Sequence, residues 1–483
     1  MIAWLLAPAS ATTLVLEGEV PDDGLDHFLV PFEVPAGTKE IEVRHDDLSA
    51  VNILDWGLFD PDGWRGWGGG NTEPATVGEL DASRSYVPGP LPAGTWNVLV
   101  GKAKILETPA RWRVEVELRD APTLVPRARR PWVDPGALRA GAGWYAGDLH
   151  VHSAESGDAD ATLEEIATLA EQRGLDFVVV TDHDTVTQDD LLLEVQDRHP
   201  DLLLVPGTEF TTYGGHAGAW GATAWVDHRI GWPGVTIEGA VAAYEAQGAV
   251  VGINHPVLDL GDTCIGCAWE HGLPDGVAAI EVGTGGWSPI GQLFTPDALA
   301  LWETWTDQGH RLAAVGGSDD HQAGRDDGPF ASPIGSPVTL VYAEELSITA
   351  LLDGIRAART VVRLQDVDDP MVELVSSSGT ASATVTGASG GELVWVIDGE
   401  VASREPVDGD PVELVRDLSS GSRARVEVWV EGHPATVSSH VWGEASAAED
   451  PGGCGCGGGG GSAGLALIGL AGLGARRRRG TAP

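Results

Sequence analysis

Seven apolar runs between residues 144 and 321 each carry ligand-forming side chains at one end, and this repetition constrains the fold more than any other feature. Two of the runs end in "GDLHVHS" (residues 147–153) and "VVVTDHDT" (residues 178–185). A strand that only fills a core does not need such an end, whereas a β/α barrel holds its functional side chains at the carboxyl ends of its strands. We therefore expect the run ends to meet at one rim. They are His150 and His152, Asp182 and His183, Glu209, His216, Asn254 and His255, Glu281, and Ser318, Asp319 and His321.

Helical segments separate the runs. The stretch "TLEEIATLAEQRG" has apolar residues at helical spacing, with Thr162 as its N-cap and Gly174 as its stop. The strand "LDFVVV" follows, and repetition of this unit is typical of parallel strands joined by crossover helices. Residues 144–365 are therefore predicted to form an α/β barrel domain.

Short β-type runs flank this domain on both sides. Residues 13–120 and 370–445 are rich in Val, Ile, Leu and Trp and are punctuated by Gly, Pro and Asp, which predicts two β-sandwich domains. A Pro- and Arg-bearing linker covers residues 121–143. The first region resembles the jelly-roll-like modules of secreted bacterial hydrolases. Its Trp64 and Trp67 would suit carbohydrate or surface binding if exposed, and are otherwise turn and core aromatics.

The charge of the chain argues against a nucleic acid partner. The net charge is −43, and the only lysines are Lys39, Lys102 and Lys104. Such a surface repels nucleic acid backbones and anionic membranes. Because the acidic residues are spread along the chain, we expect the charge to serve solubility rather than to form an acidic binding tail.

Both ends of the sequence favour export. Residues 1–11, "MIAWLLAPASA", have the apolar run and the A-x-A site of a signal peptide. Residues 450–483 place two cysteines in a Gly-rich patch before an apolar segment of transmembrane-helix type and the cluster Arg476 to Arg479. This tail resembles the myxobacterial type of C-terminal sorting signal, which implies membrane retention and then display on the cell surface. In the body of the chain, Cys264 and Cys267 fit a local disulfide, a metal pair or a redox motif.

The run ends have the composition of a metal centre. Residues i and i+2 of a strand point the same way, so His150 with His152, and Asp319 with His321, can each hold one ion. Imidazole and carboxylate together suit Zn, Mn or Fe. Carboxylates can bridge two ions, and closely spaced ions suit in-line displacement at phosphorus.

The motifs resemble those of a known family. The segments "DLHVHSAESGD", "VVVTDHD", "PGTEFTT", "INHP" and "GGSDDH" are similar in order and spacing to the four-motif set of polymerase and histidinol phosphatase (PHP) domains. The resemblance covers residues 144–363 and implies a distorted (β/α)7 barrel with two or three divalent metal ions. The nearer resemblance is to the CehA/McbA (carbaryl hydrolase-like) branch, because His216 follows so soon after Glu209.

The resemblance also implies a role for each position. It implies three ligand sets: His150, His152, Glu209 and Asp319; Glu209, His216 and His255; and Asp158, His183 and His321. Asp182 would orient a ligand, and His321 or a metal-bound water would protonate the leaving group. Arg325, the cation near the fourth motif, would meet a substrate anion or form a loop salt bridge.

The expected function is therefore hydrolysis by an exported enzyme. The family's usual substrates favour small phosphoesters, attacked by a metal-bound hydroxide. Carbamate or carboxylic ester hydrolysis is the alternative, because the same hydroxide would serve an acyl centre. A non-enzymatic surface protein with a vestigial barrel is a further alternative, although the ligand set is complete. DNA proofreading is disfavoured by the acidic charge.

Overall fold

The computed structural model describes residues 11–325, Gly328 and residues 331–444. Within these residues the chain is a mixed α/β protein, rich in strands with few helices, which confirms the predicted class. No helix within this part of the chain is long and apolar enough to cross a membrane. The predicted sorting tail, with its short transmembrane helix, lies outside the described residues, as does nearly all of the predicted signal peptide.

Eight strands form the N-terminal strand region (residues 11–119). They are β1 (Ala11–Glu19), β2 (His27–Val34), β3 (Glu40–Asp46), β4 (Ile53–Asp60), β5 (Gly63–Gly69), β6 (Ala75–Gly78), β7 (Gly94–Lys104) and β8 (Arg111–Arg119). They pair in two antiparallel sheets of order β1-β8-β3-β6 and β2-β7-β4-β5. In β2 every second residue from Phe28 to Val34 is buried, and these side chains join one apolar cluster around the fully buried Trp96.

The two tryptophans considered for surface binding are not free platforms. Trp67 is buried in the structure. Trp64 is half-buried and stacks on Trp225, with ring centroids 5.2 Å apart. The interpretation of these tryptophans as exposed binding surfaces is therefore wrong, because both rings pack against other aromatic rings. The ring centroids of Trp67 and His228 lie 4.6 Å apart.

The central region alternates strands and helices. Its strands are β9 (Arg139–Val151), β10 (Phe177–Val180), β11 (Leu203–Thr212), β12 (Gly215–Trp220), β13 (Val250–Ile253), β14 (Val277–Thr284), β15 (Ala313–Gly317), β16 (Val338–Leu346) and β17 (Thr360–Arg363). Its helices are α1 (Leu163–Arg173), α2 (Asp189–Gln196), α3 (Ile237–Glu245), α4 (Gln292–Asp307) and α5 (Ile348–Arg356). A 3₁₀ turn at Gly261–Thr263 precedes β14, and a π-helical turn at Trp287–Gly291 leads into α4. β9 begins within the predicted linker, because its first residues pair with the end of β16.

The predicted helix is confirmed at both ends. Thr162 caps α1 and forms a capping box with Glu165, and Gly174 ends it in the left-handed conformation with a φ of +77°. The local sequence therefore sets where α1 begins and ends.

The seven strands from β9 to β15 lie side by side in chain order, but not all are parallel. β12 runs antiparallel to both β11 and β13, whereas the other neighbours are parallel. This reversal explains why His216 lies near the start of its run while the other polar residues lie at the ends of theirs. The first residues of β12 share an edge with the last residues of β11.

The chain after β15 returns to β9. The Asp319 amide donates to the His150 carbonyl at 2.8 Å, and the His152 amide donates to the Asp320 carbonyl at 2.9 Å. Gly317 permits this approach, because a Cβ there would lie 2.3 Å from the Cβ of His150. The residues that follow the first and seventh strands are thereby brought together.

Eight strands form the C-terminal strand region (residues 371–442). They are β18 (Met371–Ser377), β19 (Thr380–Thr386), β20 (Glu392–Ile397), β21 (Glu400–Pro406), β22 (Val412–Asp417), β23 (Arg423–Val430), β24 (His433–Ser438) and β25 (Val441–Trp442). Three of them form the sheet β18-β19-β22. The run β24-β23-β20-β21 continues the central sheet, because β24 pairs with β17.

Candidate metal centre

The carboxylate of Glu209, in the carboxyl-terminal half of β11, is the centre of the site. It is fully buried and lies among five imidazoles. Its Oε1 is 3.1 Å from His255 Nε2, 3.2 Å from His150 Nε2 and 3.4 Å from His216 Nδ1. Its Oε2 is 3.0 Å from His183 Nδ1 and 3.4 Å from His152 Nε2. A single buried carboxylate with so many basic neighbours has the geometry of a bridging ligand.

The remaining predicted ligands complete three overlapping groups. Asp319 Oδ1 lies 3.3 Å from His150 Nε2 and 3.1 Å from His152 Nε2. Asp158 Oδ2 lies 3.2 Å from His183 Nε2 and 3.4 Å from His321 Nε2. Among the described residues, four groups have their ligand atoms within 4.8 Å of one another, and three of them consist of predicted ligands: His150, His152, Glu209 and Asp319; Glu209, His216 and His255; and His152, His183 and His321. The third of these contains His152 where the predicted set contains Asp158. All nine residues that the sequence proposes as ligands therefore meet in one place.

The site has a buried end and an exposed end. Glu209, His150 and His255 are at most 1% exposed. The side chain of Asp158 is 55% exposed, and that of His321 is 26% exposed. A substrate would therefore reach the site from the Asp158 end.

Backbone geometry holds two ligands in place. Asp319 and His255 have φ values of +59° and +25°, which are unfavourable for residues with a Cβ. Both backbones are anchored: the Asp319 amide donates to the His150 carbonyl, and the His255 amide donates to Glu281 Oε2 at 2.7 Å. Such strained conformations are concentrated at functional sites.

Two residues that orient ligands were not assigned a role from the sequence. Glu281 Oε1 lies 3.0 Å from His150 Nδ1, so it fixes the tautomer and the ring orientation of that imidazole. Asn254 Nδ2 donates to Glu209 Oε1 at 2.9 Å, and its Oδ1 accepts from the Gly218 amide at 3.0 Å. The available signal was that both follow apolar runs, Asn254 directly after β13 and Glu281 after the apolar first half of β14.

Asp182 differs from its predicted role. Its two oxygens accept from the amide and the hydroxyl of Ser153, both at 2.6 Å, rather than from an imidazole. Burial raises the pKa of the Asp182 carboxyl to about 7. Asp182 therefore positions the segment after His152, and Glu281 is the carboxylate that orients an imidazole.

Arg325 adopts the second of its two predicted roles. Its guanidinium pairs with the Glu165 carboxylate and donates to the Asp160 carbonyl at 2.9 Å. This is a loop salt bridge, which leaves the guanidinium turned toward α1.

The donor atoms fit metal ions. Among the described residues, buried ring nitrogens without a hydrogen-bond partner include both nitrogens of His152, both of His216 and Nδ1 of His255, and Glu209 Oε2 also lacks a partner. Buried polar atoms rarely stay unpaired, so this concentration indicates a group that would satisfy them. Although burial opposes it, the charges of Asp158 and Glu209 hold the pKa of His183 well above its usual range. Cations would relieve the same excess of buried carboxylate charge.

Similarity to known proteins is confined to structure. No protein-family model and no curated protein matches the chain. A two-domain protein of Bacteroides vulgatus, described as containing a "predicted PHP-like metal-dependent phosphoesterase", is 18% identical over 65% of this chain and 100% of its own, with a TM-score of 0.37. A candidate metal-dependent phosphoesterase of Bifidobacterium adolescentis is 17% identical over 44% and 95%, with a TM-score of 0.28. An amidohydrolase of Chromobacterium violaceum is 19% identical over 38% and 93%, with a TM-score of 0.26.

Proposed function

We propose that this chain is a metal-dependent hydrolase of the PHP type with a distorted seven-strand barrel, and that its substrates are small phosphoesters. The observation that carries the proposal is the Glu209 carboxylate, which lies within 3.4 Å of five imidazole nitrogens. This carboxylate belongs to two of the three overlapping groups of predicted ligands, and its Oε2 lies 3.0 Å from Nδ1 of His183, a member of the third group.

Two or three divalent transition-metal ions would be held by these groups, with Zn, Mn and Fe suited to the mixture of imidazole and carboxylate. When bound, such ions lower the pKa of water and stabilise charge on a phosphoryl or carbonyl oxygen. Glu281 and Asn254 keep His150 and Glu209 in place for this task. Preorganisation of this kind determines how well an active site works.

His321 has two possible roles, proton donor or metal ligand, and the number of bound ions decides between them. It lies at the exposed end, where the charges of Asp158 and Asp319 outweigh burial and raise its pKa to about 9. With two ions in the deeper groups, a protonated His321 could donate to the leaving group. With a third ion beside Asp158 and His183, it would be a neutral ligand instead.

Carbamate or carboxylic ester hydrolysis is the second candidate. It is favoured by His216, whose Nδ1 lies 3.4 Å from Glu209 Oε1, because the early histidine after this glutamate is the feature shared with the CehA/McbA branch. The same site would serve a carbonyl carbon. A third candidate, a surface protein with a vestigial barrel, would need ligands to be missing, whereas nine are together.

We also propose that the enzyme is exported and displayed on the cell surface. The Cys264–Cys267 disulfide supports an oxidising compartment, and the composition of residues 450–483 supports a sorting tail. Recovery of the protein from a surface fraction of its native cells would test this, and recovery only from the cytoplasm would contradict it.

Metal analysis and paired assays test the enzymatic proposal. Wild-type protein, Glu209→Gln and the matched surface control Glu344→Gln would each be stripped and reloaded with Zn, Mn or Fe. We expect about two or three ions per wild-type chain. Glu209→Gln should lose at least one ion and at least about a hundredfold in activity, since even indirect ligand partners affect activity on that scale. Glu344→Gln should match wild type.

An aryl phosphate and an aryl carbamate separate the two hydrolase candidates. Faster turnover of the phosphate supports the first, and faster turnover of the carbamate supports the second. Metal-loaded wild type that hydrolyses neither would overturn both, and circular dichroism of each variant would show that the fold is retained.

A further inference from the structure

The loop between β13 and β14 closes over the hairpin that carries His216. Its Trp269 amide donates to the Pro256 carbonyl at 2.9 Å, and its Glu270 amide donates to the Gly214 carbonyl at 2.8 Å. Gly266, with a φ of +79°, presses against the hairpin so closely that a Cβ would lie 2.5 Å from the Thr212 carbonyl. The position of this loop is therefore fixed relative to His216.

The loop contains the Cys264–Cys267 disulfide. One ligand atom from each of Cys264, Cys267 and His216 lies within 4.8 Å of the other two. Cys267 is 2% exposed and His216 is 3% exposed, whereas Cys264 is half-buried, so a reductant can reach the disulfide from the Cys264 side. Neither nitrogen of His216 has a hydrogen-bond partner, which leaves the ring available on this side as well as toward Glu209.

We propose that reduction of this disulfide creates a second metal site, formed by the thiolates of Cys264 and Cys267 with the imidazole of His216. In the first step a dithiol reductant supplies two electrons and two protons, the S–S bond breaks, and the reductant leaves as its own disulfide. In the second step a thiophilic divalent ion binds and displaces the two thiol protons. Two sulfurs and one imidazole form a ligand set that suits Zn²⁺ and leaves one position open.

The site would make the enzyme sensitive to its redox environment, and this consequence rests on the proposed function. His216 also belongs to the group of Glu209 and His255. An ion held by the thiolates would withdraw His216 from that group, whereas the disulfide leaves His216 to the main centre. Reduction followed by binding of a thiophilic ion should therefore slow hydrolysis about tenfold. This is the lower end of the loss of activity that changes around metal ligands usually cause.

Cobalt spectroscopy of the full chain tests the site directly. Co²⁺ would be added to oxidised protein and to protein reduced with dithiothreitol and desalted under argon. We expect a thiolate-to-cobalt charge-transfer band in the reduced protein only, and its loss after reoxidation. The reversible comparison uses wild type throughout, so it does not depend on a variant that folds.

Variants assign the band to its ligands. The chain has four cysteines, so Cys454→Ser/Cys456→Ser is the matched control and should keep the band. Cys264→Ser/Cys267→Ser should abolish it, and His216→Asn should weaken cobalt binding at least tenfold. No band in reduced wild type, or a band that survives in Cys264→Ser/Cys267→Ser, would overturn the proposal.

Glu209→Gln separates this inference from the proposed function. It should keep the cobalt–thiolate band while losing ions from the main centre. A main centre that loads metal without any thiolate band would contradict only the inference, and a thiolate band in a chain without hydrolytic activity would contradict only the proposed function.

Discussion

The N-terminal and C-terminal strand regions both pack on the central region, but they contact different parts of it. The N-terminal region contacts the segment of residues 153–160, which carries Asp158. Ser85 Oγ donates to the Glu155 carbonyl at 2.8 Å, and Arg84 Nη1 donates to the Ala159 carbonyl at 2.7 Å. This region therefore supports the exposed end of the candidate metal centre.

The C-terminal region instead contacts α4, β15 and β17. Its Arg423 and Arg425 bind the carboxylate of Glu303 on α4, at 2.8 Å and 2.6 Å. β24 pairs with β17, and Ser439 Oγ accepts from the Ala314 amide of β15 at 2.8 Å. Among the described residues, the groups of candidate ligands include none from this region.

The comparison teaches that two strand-rich additions to one domain can serve different purposes. Changes at the C-terminal contact should alter the free energy of unfolding and leave the chemistry of the folded protein intact. Changes at the N-terminal contact should alter activity with little effect on unfolding. Each of the following predictions tests one side of this division.

The largest effect is expected from Glu303→Ala. This substitution leaves two buried guanidinium groups without their shared carboxylate, which should lower the free energy of unfolding by about 3 to 4 kcal/mol. Arg423 retains Asp307, and Arg425 retains Glu427, which keeps the loss near the lower end for buried ion pairs. Denaturant unfolding measures the change, and activity per folded molecule should equal that of wild type.

Asp307→Ala is the matched control for that change. Asp307 binds the same Arg423 at 2.7 Å but is 65% exposed, so its removal should cost less than about 1 kcal/mol. Equal losses in the free energy of unfolding for the two variants would show that the cost does not depend on the burial of Glu303. A fall in activity of folded Glu303→Ala would contradict the division between the two regions.

The pH dependence of stability is the next effect in size. Burial raises the pKa of Glu303, but His440, Arg425 and their hydrogen bonds lower it to about 2. Because burial lowers the pKa of His440, we attribute the effect at neutral pH to the arginines. The folded pKa lies below the unfolded value, so the stabilisation is present above the unfolded pKa and is lost as the pH falls toward 2.

Comparison of wild type with Glu303→Gln measures how much the Glu303 charge contributes to the free energy of unfolding. The wild type should be more stable by about 2 to 3 kcal/mol at pH 6, and the difference should shrink as the pH falls from about 5 to 2. Chemical unfolding at a series of pH values gives the curve. A difference that stays constant over this range would mean that the Glu303 charge is not linked to folding.

Local rules account for the parts of the molecule that the sequence predicted. α1 follows from Thr162 and Gly174, which act within their own turn. His150 and His152 face the same way because the side-chain period of a strand is two. The convergence of the ligands follows from the rule that parallel strands present their carboxyl ends at one edge.

The parts that the sequence did not predict depend on distant partners. The reversal of β12 is a matter of strand pairing, and no local pattern distinguished it from a parallel strand. Asp182 and Glu281 both follow apolar runs, so the sequence did not distinguish their partners. Only the packed structure shows that Asp182 binds Ser153 and that Glu281 binds His150. Trp67 was ambiguous for the same reason, because its burial depends on distant residues: His27 of the N-terminal region and His228 of the central region both lie against its ring.

A smaller effect, and the sharpest test of the N-terminal contact, is expected from Gly157→Ala. A Cβ at Gly157 would lie 2.3 Å from the carbonyl oxygen of Gly68. Because this oxygen belongs to the backbone, the clash can be relieved only if one of the two loops shifts. The segment that carries Asp158 must then move away from the N-terminal region. Because Asp158 lies at the exposed end of the site, we expect about a tenfold loss of kcat/KM, equivalent to about 1.4 kcal/mol.

Gly143→Ala is the matched control, because Gly143 has an ordinary φ and has open space where its Cβ would be. Both variants should unfold within about 1 kcal/mol of wild type, since neither lies in a buried apolar cluster. Arg84→Ala, which loses the hydrogen bond to the Ala159 carbonyl, should move activity in the same direction by a smaller factor. If Gly157→Ala and Gly143→Ala had equal activity and equal metal content, the N-terminal region would not be what positions Asp158. The two strand regions would then differ in where they pack and not in what they do for the metal centre.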